Sequence, residues 1–139
     1  MNKALLISVL FLIISCGKPK NYGSVFYFEQ KDLLSIVPIS CADMENYRGL
    51  RKLNLTNKEL FDSLYYYAKK INIDTQYDPD VRYKIIISND TLCIDYDGYF
   101  IMNSENRGRI YFIEELEKFI QNNKKLSKPI TEETPKPWK

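Results

Sequence analysis

The residues of this 139-residue chain that could carry chemistry are three cysteines and eighteen carboxylates, and histidine is absent. Without imidazole no Ser-His-Asp or Cys-His pair can form, and the commonest neutral metal ligand is missing. Two acidic groups remain to be weighed. Asp74, Asp78 and Asp80 could act as paired carboxylates or ligate a hard cation. A solvated turn at Asp78-Pro79-Asp80 leading into a strand explains them more simply. Cys93-x-Asp95-x-Asp97-Gly98 has the opening spacing of a calcium loop. Its first position is a cysteine, however, and the twelfth, which needs a bidentate glutamate, is Ser104. Asp97-Gly98 is better read as a hairpin turn. No G-x-S-x-G, phosphate-binding loop or dinucleotide fingerprint is present. The reading therefore assigns no catalytic residue, no metal and no cofactor.

Binding chemistry is better represented. Eleven of the residues are tyrosines, a type favoured at protein interfaces and in antiparallel strands alike. At about 100° per residue, Tyr66 falls opposite the apolar face of a predicted helix, and Tyr65 flanks that face. The loop before that helix carries Tyr47, Arg48 and Arg51. Tyrosine and arginine dominate interface hot spots, so these five residues are expected to form one patch that meets a protein partner, an acidic one by charge. The chain's 20 basic and 18 acidic residues are too evenly balanced for bulk attraction to nucleic acid.

Those residues must be held by a fold. Val25 to Phe28 and Leu33 to Ser40 read as strands, and Cys41 to Leu55 as a loop with a turn of helix. Thr56-Asn57-Lys58-Glu59 has capping-box spacing, with Thr56 as the cap, and opens a helix to about Ile71. Leu60, Leu64, Tyr67, Ala68 and Ile71 share its inner face. Arg82–Ser88, Thr91–Tyr96 and Tyr99–Met102 form a meander. Tyr83, Ile85 and Ile87 point one way, Ile86 and Cys93 the other, which implies that part of the second face is also covered. Arg109 to Phe112 adds a short edge strand, and a second helix runs from Ile113 to about Lys124. The order β-β-α-β-β-β-α predicts an α+β two-layer sandwich: an antiparallel sheet with a three-stranded meander and two helices packed on one face. The domain spans residues 25–126, and the Pro-rich, charged segment 127–139 with Trp138 reads as a disordered tail.

The first fifteen residues read differently. Lys3 precedes an apolar run from Ala4 to Ile14 that only Ser8 interrupts. As a helix this run is about 16 Å long, roughly half a hydrocarbon core, so it fits a signal peptide rather than a membrane span. Ile13-Ile14-Ser15-Cys16 resembles the lipobox of bacterial lipoproteins. That resemblance covers residues 1–16 only. It implies cleavage before Cys16, acylation of the cysteine with diacylglycerol and palmitate-type chains, and a polar tether over 16–24. Gly17, in place of the aspartate that resembles an inner-membrane retention signal, implies the outer membrane. Outside the cytoplasm, the remaining pair Cys41 and Cys93 is expected to be bridged.

These readings converge on a membrane-anchored, non-catalytic protein-binding module of the cell envelope. Its sharpest version is an immunity protein against a rival's toxin, which small single-domain lipoproteins resemble in size and targeting. The alternatives are an accessory lipoprotein of an envelope assembly, a small-ligand or metal carrier, and a carboxylate-based envelope hydrolase.

Overall fold

A computed structural model describes residues 20–29, 38–73 and 77–130. The signal peptide, Cys16 and the next three residues of the tether, the greater part of the strand expected at Leu33–Ser40, Asp74 and Trp138 lie outside the described residues. Within them the chain is α+β, with one antiparallel sheet of seven strands and two helices. The strands are β1 Gly23–Phe28, β2 Leu50–Leu55, β3 Tyr83–Ile87, β4 Asp90–Ile94, β5 Tyr99–Met102, β6 Asn106–Arg109 and β7 Lys128–Pro129. The sheet order is β6-β5-β4-β3-β1-β2-β7. The helices are α1 Lys58–Lys70 and α2 Ile113–Asn123.

The expected meander is present in β3, β4 and β5, and β6 extends it. Its central turn follows from Asp95. One Asp95 carboxylate oxygen accepts the amides of Asp97 and Tyr99, each at 2.9 Å. Gly98 completes the bend at φ 85° with the Ile110 carbonyl pressed against it, where a Cβ would lie 2.2 Å from that oxygen. Only glycine meets both demands.

Five features differ from the sequence expectation. Residues 50–55 are a strand rather than a loop, paired in register with β1 from Gly23↔Leu55 to Phe28↔Leu50. The strand beginning at Arg109 lies instead at Asn106–Arg109, because Gly108 lets β6 approach the helical layer. A Cβ there would meet Ile71 at 2.7 Å and the Phe100 ring at 2.8 Å. The cap of α1 is Asn57, whose side chain accepts the Leu60 amide at 3.0 Å, rather than Thr56. The segment from residue 127 is not a loose tail at its start. Ser127 is buried, and Lys128–Pro129 pairs with β2 as the last strand. A proline and a lysine on a two-residue edge strand also blunt that edge against further pairing. At the other end, Gly23 and Ser24 belong to β1 rather than to the tether.

Two apolar clusters lie on opposite faces of the sheet. The larger joins Leu60, Leu64 and Ala68 of α1 and Leu116, Phe119 and Ile120 of α2 to Val25, Leu53, Leu55, Ile85, Ile94 and Phe100. The second holds Phe26, Phe28, Leu50 and Cys93 under Ile39 and Met44, with Ile86 packed against them. The alternation read from the meander thus separates the faces as expected. The segment over the second face is tied down by the Ile39 amide donating to Asp80 Oδ1 at 2.8 Å and by the Cys41–Cys93 disulfide, whose Cα atoms are 5.7 Å apart.

Candidate partner-binding surface

The i, i+4, i+8 spacing of Leu60, Leu64 and Ala68 fixes which side of α1 faces out. Leu60, Leu64 and Ala68 point into the core, with Phe61, Tyr65, Tyr67 and Ile71 packed at its margin. Tyr66 stands away from it, 61% exposed. Two concavities meet at this residue. One, of about 500 Å³, is a groove lined by Leu60, Tyr66, Tyr67 and Phe112, with Glu59 and Glu115 at its sides. The other, of about 510 Å³, is bounded by Asp62, Ser63, Tyr65 and Tyr66. Tyr66 is the ridge between them.

The five residues expected to form one patch do not come together. Tyr65 is half-buried on the sheet side of α1, stacked on Phe61 with ring centres 5.6 Å apart. Its hydroxyl donates to Asp90, which also accepts from Asn103 and pairs with Lys69. Those contacts, the Tyr65 hydrogen bond foremost, hold the Asp90 carboxyl below its ordinary range. Tyr47 lies on the opposite face of the sheet, edge-on to Phe28 in the second cluster. Arg48 is exposed beside it in sequence. Arg51 is in β2, where it bonds Ser127 and pairs with Glu29 at 3.2 Å. The sheet therefore separates Tyr47 from Tyr66, and Arg51 serves the C-terminal strand. The loop reading of residues 41–55 placed these side chains together; a strand at 50–55 pulls them apart.

The acidic loop has structural work as well. Asp78 pairs with Arg107, and Asp80 pairs with Arg82 while accepting the Ile39 amide. Asp95, 4% exposed, spends one oxygen on backbone amides and accepts the Tyr77 hydroxyl on the other at 3.0 Å. Burial pushes its carboxyl above the ordinary aspartate range, against the opposing pull of the Tyr77 and amide hydrogen bonds. Burial, followed by its hydrogen bond to Glu117, likewise raises the Tyr83 hydroxyl. Among the described residues no group of three or more potential ligands converges on a metal position.

No family model, curated protein or solved structure matches this chain. Its function must be argued from its own residues.

The groove beside Tyr66 was legible only in part. Tyr66 was visible in the helical period. Phe112 and Glu115 were not, because their approach to α1 depends on how α2 lies across the sheet. Tyr67 and Phe112 meet edge-to-face with ring centres 5.6 Å apart, and this contact closes the floor of the groove.

Proposed function

We propose that this chain is a lipid-anchored, non-catalytic protein-binding module of a bacterial cell envelope, held through acylated Cys16 and most at home on the outer membrane. Its sharpest form is an immunity protein that intercepts a toxin at that membrane. Three features support the anchoring half: the lipobox-like Ile13-Ile14-Ser15-Cys16, Gly17 after it, and the Cys41–Cys93 bridge, a bond that persists in oxidising compartments. The binding half rests on one observation. Tyr66 is the one aromatic of α1 left outside the core margin, at 61% exposure, and it stands between two open concavities. A large aromatic with few rotamers to freeze, set at such a ridge, is the usual anchor of a protein interface.

The test is capture from the native membrane with the lipid anchor intact, comparing the wild-type protein with Tyr66→Ala. One specific partner retained by wild type and lost by the variant supports the reading. A partner that proves to be a secreted toxin favours the immunity form; a component of an envelope complex favours an accessory lipoprotein. Capture of nothing by wild type, with the protein in the membrane fraction, overturns the binding-module reading.

A further inference from the structure

The groove between α1 and α2 has a charge as well as a shape. Its apolar lining is Leu60, Tyr67 and Phe112, with Tyr66 as the exposed wall. Its two acidic residues, Glu59 from the first turn of α1 and Glu115 from the first turn of α2, are both exposed. Neither makes an ion pair or side-chain hydrogen bond among the described residues, whereas neighbouring Asp62 is paired with Lys58. No lysine or arginine lines the groove. One face of the Tyr66 ring already holds an ammonium group, Lys70 Nζ at 4.0 Å from the ring centre, so an incoming cation takes the other face or displaces Lys70. Aromatic faces attract cations through their quadrupole, and a carboxylate at the rim adds a charge-assisted hydrogen bond. An anionic partner would meet two glutamates that have no ion-pair partner among the described residues, so the acidic partner expected from Arg48 and Arg51 does not fit this surface.

We propose that this groove takes a lysine or arginine side chain from a basic segment of the protein partner, seated on Tyr66, Tyr67 and Phe112 between Glu59 and Glu115. The inference rests on the binding-module reading and names the chemistry of the partner. Tyr66 supplies the ring face, the two glutamates neutralise the incoming charge, and Tyr67 and Phe112 exclude water beneath it.

The test uses the full mature lipoprotein in detergent micelles and an N-acetylated hexalysine peptide, followed by amide and aromatic NMR shifts. Hexaglutamate and a neutral oligosaccharide serve as the contrasting probes. Hexalysine should shift Tyr66, Tyr67 and Phe112. The double variant Glu59→Gln/Glu115→Gln should weaken its binding by about tenfold, the usual scale for charge-assisted contacts. Tyr66→Ala should weaken it by about fivefold, as for an exposed cation–π contact. All three positions are at the surface, so an unchanged urea midpoint verifies that each variant is folded. Equal hexalysine affinity in wild type and the double glutamine variant overturns the proposal. So do shifts centred away from the groove, or groove shifts produced by hexaglutamate or the sugar and not by hexalysine. A native partner captured equally by wild type and the double variant would retain the binding module and remove this groove from it.

Discussion

Arg51 reaches Ser127 with two nitrogens: Nε donates to the hydroxyl at 2.8 Å and Nη2 to the carbonyl at 3.0 Å. The Ser127 hydroxyl also accepts from Tyr27 at 2.9 Å and donates to the Lys124 carbonyl at 2.6 Å. One hydroxyl thus uses its donor and both lone pairs. The result fastens the C-terminal strand to β1, β2 and the end of α2.

Ser127→Ala should therefore cost stability although serine is usually a surface residue. It leaves the Tyr27 hydroxyl and Arg51 Nε without their buried acceptor, a loss of about 1–3 kcal/mol. Urea unfolding measures it. A change within about 0.5 kcal/mol, the range of ordinary surface substitutions, would show that the clamp contributes nothing.

This clamp explains why the sheet was only partly readable in advance. β3 to β5 carry β-branched residues in alternation and a strong Asp-Gly turn, so local chemistry and tertiary position agree. β2 reads Leu-Arg-Lys-Leu-Asn-Leu, and its two adjacent charges hide the strand. They are tolerated because Arg51 is consumed by Ser127 and Glu29, and Lys52 lies over the Phe26 ring at 5.5 Å from its centre. β6 reads Asn-Arg-Gly-Arg, and its place depends on the space that Ile71 and Phe100 fill above Gly108. Such partners are distant in sequence, so no local period reports them. Tyr66 was visible for the opposite reason: the position of one residue on one helix is a local property.

The Cys41–Cys93 bridge spans a sequence separation of 52 residues. In the chain-entropy model a loop of that length is stabilised by about 4 kcal/mol. Non-reducing mass mapping should give one linked peptide pair, and Cys41→Ser with Cys93→Ser should lower unfolding stability on that scale. Free thiols at both positions in folded, air-oxidised protein would refute the bridge.

Asp95 should make stability fall as pH rises through the acid range. Its folded-state pKa is raised, burial being the largest cause. A raised pKa means the folded chain holds the proton more tightly than the unfolded one. The contribution is therefore fully present below the unfolded value of about 3.9 and is lost as pH climbs through the folded value. Asp95→Asn keeps an oxygen for the Asp97 and Tyr99 amides and cannot ionise. Its stability relative to wild type should rise across that window and then level off. A relative stability that falls with pH would mean the hydrogen bonds outweigh burial.

Cys16→Ala should release the protein from the membrane fraction and leave the precursor uncut by the lipoprotein signal peptidase. Two acyl chains give stable anchoring where a single chain is marginal. Equal membrane retention of wild type and variant, in fractionated cells, would remove the lipid anchor from the proposed function.

Tyr66 separates binding from folding most sharply. Its neighbours in α1 all have structural partners: Phe61 stacks on Tyr65, Tyr65 donates to Asp90, and Tyr67 meets Phe112. Among the described residues Tyr66 has only the Lys70 ammonium over its ring, an exposed contact. Tyr66→Ala should therefore leave thermal stability within about 0.5 kcal/mol, while weakening partner capture by more than about 1 kcal/mol, the mark of an interface hot spot. Tyr67→Ala is the control. It removes a ring packed against Phe112 and the main core, and it should lower stability as well as binding. If Tyr66→Ala also destabilises the fold substantially, the residue packs more than its exposure indicates. If it changes neither stability nor capture, the partner meets another face of the molecule, and Arg48 beside Tyr47 on the far side of the sheet becomes the next position to replace.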